Sequence, residues 1–306
     1  MNPPSNSVTI CCYHAVTRIP PVLRDFCFID ESTFREQIRY LKRNYRVVSL
    51  SEAAQSIADS DIDGPLAVVT LDDGFFSNYD VAFPILEQEG CPATFFLATR
   101  FIDSTDTLWF CRVLEAVAGT ERSWIERGGE RFDLSGLEAR THSCGELQRW
   151  LKQYPQPRLM DELRKLVDEL GDDPERPVGD DSPCRILTHK AILDMARSEL
   201  VEFGAHTRSH TILSRLSPEE RRREIETSLA DVEHLSGRPA TLFAYPNGRR
   251  EDYDSAAVAD LARCGVRAAV TTEPGLNDET TPLLELKRAT IGPVPGHERF
   301  RARIAG

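Results

Sequence analysis

Apolar residues along this chain follow two alternating patterns: short continuous runs, and longer segments in which they recur every three or four positions. Continuous runs are typical of buried strands, and the helical period is typical of amphipathic helices. The runs predict strands over 8–13, 46–48, 68–70, 93–98, 201–204, 241–245, 267–272 and 284–291. The periodic segments predict helices over 31–44, 52–58, 78–89, 188–198, 218–236 and 254–264. This alternation predicts an α/β fold with a parallel sheet, and the number of units fits a distorted (β/α) barrel.

The alternation stops between about 103 and 185, where charged residues and helix formers are more frequent. Leu163, Leu166, Val167 and Leu170 are spaced as one apolar face of a helix. We therefore predict a single domain over 1–306, interrupted by a largely helical insertion at about 103–185 that forms a lid or wall over one end of the barrel.

Two helices carry clear signals at their ends. Ser217 is a natural N-cap, Pro218 occupies the first helical position and Glu220 completes a capping box, while Gly237 ends the same helix. Ser51 is the N-cap that we predict for the helix ending at 58.

Two groups of arginines invite a functional interpretation that we do not adopt. Arg221, Arg222 and Arg223 are predicted to lie on the exposed face of a helix, as solvated charge rather than a phosphate site. The arginines at 299, 301 and 303 are predicted to form a frayed basic tail.

Composition excludes several classes of protein. The net charge of −12 argues against a nucleic-acid-binding protein, which needs a basic surface. The eight cysteines are scattered without a Cys-x-x-Cys pair, which predicts reduced thiols and no structural zinc cluster. The first residues lack the basic and apolar regions of an export signal, and no apolar run approaches the roughly 20 residues of a membrane span. We expect a cytoplasmic protein without a membrane span; the oligomeric state is not predictable.

The strand over 68–70 ends in two adjacent carboxylates, Asp72 and Asp73, which Gly74 follows. A desolvated carboxylate must be paired, protonated or bound to a metal. At the C-terminal end of a strand, with a glycine turning the chain, both side chains can face one cleft. Taken alone, these residues fit a strand followed by an Asp-rich turn equally well.

Two histidines, His206 and His210, follow the strand over 201–204. One carboxylate and two imidazoles form the mixed ligand set of a catalytic zinc ion, and other divalent transition metals bind similar sets. The second carboxylate would then be free to accept a proton from the attacking water. Both segments follow strands, and in β/α barrels that end carries the active site. We therefore predict one metal centre built from both segments.

A third segment, 242–248, ends a strand in the turn Pro246-Asn247-Gly248. Such a turn exposes backbone N–H groups that suit an oxyanion. Ordinary turns have the same composition, so this segment supports the prediction without deciding it.

At these three places the sequence resembles the polysaccharide deacetylase family, carbohydrate esterase family 4. The segment 70–74 (Thr-Leu-Asp-Asp-Gly) is similar to the first family motif, 206–210 (His-Thr-Arg-Ser-His) matches the second, and 244–248 looks like an altered third. The resemblance covers about 8–102 and 185–292. It implies a distorted β/α barrel and metal-dependent removal of N-acetyl groups from amino sugars.

The resemblance also implies a role for each matching residue. Asp72 would be the general base, and the backbone N–H of Asn247 would hold the tetrahedral oxyanion. Tyr245 and Pro246 would contact the substrate. The implied metal ligands are Asp73, His206 and His210.

The chain departs from the family pattern in two motifs. Many members have an arginine where this chain has Ala244, so that arginine cannot orient the base here, and Asn247 replaces a tyrosine. The late motif usually supplies a histidine as general acid, but the last predicted strand contains none. Arg288 in that strand can supply charge, and His14 at the end of the first strand can donate a proton, while His297 lies beyond the strand.

We therefore predict a zinc-dependent hydrolase of carbon–nitrogen bonds other than peptide bonds. Its substrate would be an N-acetylated amino sugar of a cell-surface glycan, and the missing export signal favours a glycan precursor. Two alternatives stay open: a hydrolase of another amide, such as a formyl or cyclic amide, and a glycan-binding module that has lost catalysis. Both carboxylates and both histidines count against the latter, whereas the two motif departures count for it.

Overall fold

The computed structural model describes residues 6–293 and 296–305, without the side chains of Pro157 and His297. Its strands are β1 (Ser7–Tyr13), β2 (Ala15–Thr17), β3 (Phe28–Asp30), β4 (Arg46–Val47), β5 (Pro65–Leu71), β6 (Ala93–Leu97), β7 (Trp124–Arg127), β8 (Glu130–Asp133), β9 (Val201–Ala205), β10 (Leu242–Ala244), β11 (Ala268–Val270) and β12 (Ala289–Thr290). Its α-helices are α1 (Glu31–Asn44), α2 (Leu50–Ala58), α3 (Phe83–Glu89), α4 (Trp109–Gly119), α5 (Leu137–Leu151), α6 (Gln156–Glu169), α7 (His189–Met195), α8 (Pro218–Ser236), α9 (Ser255–Arg263) and α10 (His297–Ile304). Within this part of the chain, no helix has the length and apolarity to span a bilayer.

Eight of the strands form one sheet in which every pairing is parallel. The strand order is β11-β10-β9-β6-β5-β1-β12, and β4 also pairs with β5. β1 and β5 run side by side over their whole length and are almost entirely buried. Burial on both faces explains why these strands are continuous apolar runs in the sequence. The sheet and its flanking helices confirm the predicted α/β fold, a distorted (β/α) barrel.

The segment between β11 and β12 connects the two ends of this sheet. Leu286 forms a parallel bridge with Val270 of β11, whereas β12 pairs with β1 at the other end of the strand order. The single strand predicted over 284–291 is therefore wrong, since a 3₁₀ turn at Leu283–Glu285 precedes a two-residue strand. Crossing from one end of the sheet to the other breaks the strand, and this closing segment, 286–290, carries Arg288 between the two.

The segment predicted as an insertion is largely helical. It contains α4, α5, α6 and an antiparallel hairpin of β7 and β8, whose turn residues Gly128 and Gly129 both have positive φ. The predicted apolar face of α6 and its C-terminal end is buried in a second hydrophobic core, which also includes Phe75 and Ala98 at the end of the main sheet. The insertion therefore packs on the end of the sheet where β5 and β6 terminate. Its assignment to one domain with the rest of the chain stays a prediction.

The helix ends follow the capping signals with one correction. Ser217 and Glu220 form the capping box of α8, which ends at Gly237 with φ 67°. The predicted cap Ser51 is wrong: the hydroxyl of Ser49 accepts the hydrogen bond from the Glu52 N–H, so α2 begins at Leu50.

Both predictions about arginine groups need correction. Arg221 is buried, and its Nε donates to Asp260 Oδ2 at 2.7 Å. Arg221 lies four residues before buried Ile225 and therefore shares the buried face of α8. The C-terminal arginines belong to α10, which is anchored by buried Phe300 and Ile304. Of His297, only its place at the start of α10 lies within the described structure.

Candidate active site

The carboxyl ends of β5, β9 and β10 bring the three motif segments to one cavity of about 600 Å³. Its wall includes the two carboxylates, both histidines, the altered third motif and the closing segment, through Asp72, Asp73, His206, His210, Asn247 and Arg288. The structure thus brings together residues from segments that are far apart in the sequence.

Each motif contains a residue in the left-handed backbone region, at Asp73 (φ 75°), His210 (φ 54°) and Asn247 (φ 59°). Residues other than glycine rarely adopt this region, and strained backbones of this kind occur preferentially at functional sites. The conformation turns each chain sharply at the end of its strand. Gly74, also left-handed, continues the first turn.

Asp73, His206 and His210 place three donor atoms close together in a buried position. Asp73 Oδ1 lies 3.4 Å from His206 Nε2 and 3.2 Å from His210 Nε2. The same oxygen has no hydrogen-bond partner among the described residues. Two donors on one tetrahedral transition-metal ion are about 3.3–3.5 Å apart, because each lies about 2.0–2.2 Å from the ion. The three donors therefore fit a metal ion.

The backbone fixes the orientation of His206. Its Nδ1 lies 2.7 Å from the carbonyl oxygen of Ala244. An Nδ1–H that donates to this carbonyl leaves the lone pair of Nε2 directed at Asp73, as in metal-ligating histidines. The loop between the histidines is held by Ser209, whose N–H and hydroxyl donate to Glu224 of α8 at 2.9 and 2.6 Å.

Burial and neighbouring charges act in opposite directions on these three residues. Burial raises the pKa of Asp73, but His210 and His206 outweigh it and hold that pKa well below its usual range. Burial lowers the pKa of His210 against the attraction of Asp73. For His206 the nearby carboxylates of Asp73 and Asp72 outweigh burial, so its pKa is raised. The buried carboxylate of Asp73 requires a compensating positive charge. Either a bound cation or a protonated imidazole can provide it.

Asp72 is held by Arg288 rather than by a third-motif arginine. Arg288 Nη1 and Nη2 donate to the two oxygens of Asp72, each at 2.7 Å, and Arg288 is fully buried. Arg288 Nε donates to the carbonyl oxygen of Thr271 at 2.7 Å, which fixes the plane of the guanidinium. Burial raises the pKa of Asp72, but Arg288 outweighs it and the pKa is lowered. Asp72 is therefore an ionised carboxylate beside the metal-ligand cluster.

The turn after β10 presents a free backbone donor. The N–H of Asn247 donates to no acceptor among the described residues. The next N–H, that of Gly248, donates to the carbonyl oxygen of Pro246 at 2.7 Å and is therefore not free. Asn247 lines the cavity. A free N–H at this position can stabilise negative charge that develops on a substrate oxygen.

A sequence model described as polysaccharide deacetylase matches residues 59–269, more than half of the chain. The chain belongs to the polysaccharide deacetylase family. Membership places it among hydrolases that act on carbon–nitrogen bonds.

Two solved structures are similar to this chain over nearly their whole length. The PplD deacetylase of Streptococcus pyogenes, solved in complex with acetate, has a TM-score of 0.65 and 18% identity, with 99% of each chain covered. IcaB from Ammonifex degensii has a TM-score of 0.59 and 17% identity, covering 100% of this chain and 98% of that one. A curated relative, YxkH of Bacillus subtilis (strain 168), is 26% identical over 118 residues, which are 39% of this chain and 41% of the relative. At these identities the structural similarities establish the fold.

The late-motif histidine of the family has no counterpart in the closing segment, and His14 lies near the site instead. His14 follows β1, lines the cavity, and contacts the ring of Phe26 edge-on with centroids 5.5 Å apart. A ring nitrogen of His14 lies within 4.8 Å of a carboxylate oxygen of Asp72 and of Asp73. Its Nδ1 is buried and has no partner among the described residues. His14 is thus placed beside both carboxylates.

The two residues predicted to contact substrate differ in position. Tyr245 lines the cavity, but its hydroxyl donates to Leu284 O at 2.9 Å and its ring stacks on Tyr253 with centroids 4.2 Å apart. Pro246 is buried and is not part of the cavity wall. Tyr245 is therefore held mainly by its contacts with Leu284 and Tyr253.

The helical insertion forms one wall of the cavity. Phe110 of α4 contacts the His210 ring with centroids 5.7 Å apart, and Gln148 of α5 and Lys152 just after it also line the cavity. On another side lies Phe26, which is 52% exposed and belongs to the loop between β2 and β3. The sequence did not predict these wall residues. β2 and β3, which flank Phe26, have three residues each and are too short to give a periodic apolar pattern, and the insertion contains no recognisable motif.

Proposed function

We propose that this protein is a zinc-dependent N-deacetylase that removes acetyl from an N-acetylated amino sugar of a cell-surface glycan or its precursor. The proposal depends chiefly on one observation: the buried cluster of Asp73, His206 and His210 lies in the same cavity as the Arg288-held carboxylate of Asp72. Family membership supports the reaction class.

Zinc suits this donor set, since one carboxylate and two imidazoles leave a position open. When bound, such an ion polarises the acetyl carbonyl and makes an adjacent water more acidic. Asp73, His206 and His210 would hold it, with His206 oriented by the Ala244 carbonyl.

The residues of the chain would perform the remaining chemistry. Asp72, kept ionised by Arg288, accepts a proton as the water oxygen bonds to the acetyl carbon. The Asn247 N–H donates to the carbonyl oxygen as negative charge develops there. The carbon–nitrogen bond then breaks, and the leaving amine takes a proton from His14. The products are acetate and the free amino sugar.

Acetate release measures this function directly. The purified chain would be assayed with N-acetylated amino sugars, from monosaccharide to short oligomer, with added Zn²⁺ and after chelation. We expect release that depends on the metal and falls at least about a hundredfold in Asp72→Asn. Formylated and cyclic amides in the same panel test the related hydrolase, and turnover no greater than that of Asp72→Asn on every substrate would exclude the enzymatic proposal.

A further inference from the structure

The cavity wall carries four cationic side chains that have no role in the proposed reaction: Lys152, Arg215, Arg249 and Arg303. Within the described part of the chain, none of them forms an ion pair with a carboxylate. The chain as a whole has a net charge of −12, so carboxylates are abundant elsewhere. Unpaired cations gathered on one cavity wall of an acidic protein therefore indicate an anionic ligand.

The four cations come from four separate elements. Lys152 follows α5 of the insertion, and Arg215 ends the 3₁₀ turn before α8. Arg249 lies in the turn after β10, and Arg303 belongs to α10. Arg215, Arg249 and Arg303 are exposed, yet all four side chains line the same cavity although they belong to separate elements. Convergence of this kind is typical of a binding site.

Lys152 is the most informative of the four because its side chain is largely desolvated. The burial of Lys152 lowers the pKa of its ammonium. Its Nζ lies 6.0 Å from the centroid of the Trp109 ring, and no hydrogen bond from it to a described acceptor is present. Arg215 donates a hydrogen bond to the Lys152 carbonyl, which joins the insertion to the turn before α8. A desolvated ammonium without an acceptor costs free energy, and an anion bound there would recover it.

The carboxylates on the same wall do not cancel this charge. Asp252 is buried and accepts the backbone N–H of Arg249 at 3.0 Å, and burial raises its pKa. Glu251 is exposed. Asp72 is already paired with Arg288. Asp73 belongs to the metal-ligand cluster, so Glu251 and Asp252 are the carboxylates left facing the four cations, and the wall carries an excess of positive charge.

We propose that Lys152, Arg215, Arg249 and Arg303 form an anion subsite, and that the amino-sugar substrate carries a phosphate group. A phosphate has several strong acceptor oxygens, which suit donors arriving from different elements, and arginine and lysine are its usual partners. A cavity of about 600 Å³ has room for a sugar and a phosphate together. This inference rests on the proposed deacetylase function, and it extends that function to the substrate class.

Binding without turnover provides the test. Calorimetry on the full chain would compare N-acetylglucosamine 1-phosphate with N-acetylglucosamine, in the Asp72→Asn variant with Zn²⁺ and in the native protein after chelation. We expect the phosphorylated sugar to bind at least tenfold more tightly at low salt, with an advantage that added salt reduces. The advantage should persist after chelation, because the subsite is made of side chains rather than of the metal.

Variants locate the subsite. Lys152→Gln and Arg303→Gln should each reduce the advantage of the phosphorylated sugar by about tenfold, as expected for a charge-assisted hydrogen bond. The matched control is Lys165→Gln in the insertion, where the lysine is exposed and paired with Glu162 at 2.9 Å, and it should leave the advantage unchanged. Equal affinity for the two sugars, loss of the advantage with the metal, or no effect of both variants would each overturn the subsite.

The same titrations separate the two sources of phosphate and the two proposals. A short prenyl diester of N-acetylglucosamine 1-phosphate that binds more tightly than the free phosphate indicates a lipid-linked substrate, whereas weaker binding indicates a soluble sugar phosphate. The titrations measure binding and not acetate release. A negative result for the anion subsite therefore leaves the proposed deacetylase activity untouched, and a negative result in the acetate assay leaves the anion subsite untouched.

Discussion

Arg288 and Asp72 are separated by 216 positions in the sequence and form a buried, bidentate ion pair in the wall of the cavity. The arginine is brought there by the closing segment, which contacts β11 on one side and β1 on the other through its neighbours. Closure of the sheet and positioning of the proposed base therefore depend on the same five residues, 286–290.

Replacing Arg288 by Met should affect both stability and pH dependence. It leaves Asp72 buried without its ion-pair partner, and breaking a buried pair in this way costs about 3–5 kcal/mol. In the native protein the pKa of Asp72 is lowered, so its stabilising contribution is complete above the unfolded-state pKa and is lost as pH falls through the folded-state pKa. Without the arginine, burial raises that pKa and only the nearby imidazoles of His206 and His14 oppose it, so the variant should gain stability as pH falls. Urea unfolding across a pH series measures this reversal.

The acid limb of the pH–rate profile of deacetylation should shift with the pKa of Asp72. In Arg288→Met the rate should begin to fall at a higher pH than in the native protein, because Asp72 takes up its proton earlier. Arg288→Lys retains the charge but loses the bidentate geometry, so its limb should lie between the two. A limb at the same pH in all three proteins would mean that Arg288 does not control the base.

The two adjacent carboxylates should separate metal binding from turnover. Asp73→Ala removes a donor and should lose both the metal and activity, whereas Asp72→Asn should keep the metal and lose at least about a hundredfold in rate. Metal content after dialysis and acetate release from the same preparation measure the two properties. Asp72→Asn leaves Arg288 without its counter-charge, so circular dichroism and the double variant with Arg288→Met serve as controls for folding. Metal loss in the folded Asp72→Asn variant would contradict the division of roles.

Asn247 provides a test of a backbone role. Its φ of 59° is readily adopted by glycine, and the proposed donor is the N–H, so Asn247→Gly should retain activity within a few-fold. Asn247→Val has the same N–H but a β-branched side chain that disfavours this region, so it should lose activity by distorting the turn. Steady-state kinetics on both variants test this. A large loss of kcat in Asn247→Gly would instead assign a role to the amide side chain.

The sequence predicted those features that depend on local pattern. Parallel strands buried on both faces appear as apolar runs, and capping residues such as Ser217 act within one turn of their helix, so both are readable without the fold. The site segments could be found for the same reason, since Asp72, Asp73, His206 and His210 immediately follow strands in short motifs.

Features that depend on long-range packing could not be predicted. The pairing of Arg288 with Asp72 requires closure of the sheet, which no local pattern encodes, so Arg288 could be named only as a source of charge. The cationic wall of the cavity has the same limitation, because Lys152 and Arg303 line one cavity only when the insertion and the last helix have packed on the sheet. Arg221 shows the opposite error, since a charged residue on an apolar helix face was assigned to solvent although its partner Asp260 is 39 positions away.

Arg221 should contribute to stability without affecting the site. Arg221→Ala removes the buried partner of Asp260, whose side chain is 6% exposed, and should destabilise the protein by about 3 kcal/mol because a buried carboxylate loses its closest charge. Arg263 still contacts Asp260 from the exposed side, which places the expected loss at the lower end of the range for buried pairs. The matched control is Arg223→Ala two residues further along α8, where both partners of the Arg223–Glu219 pair are more than two-thirds exposed, and it should change stability by less than about 0.5 kcal/mol. Urea unfolding distinguishes the two, and metal content and kcat/KM should stay at the native level in both. Equal stability of the two variants would show that the α8–α9 contact does not depend on this ion pair.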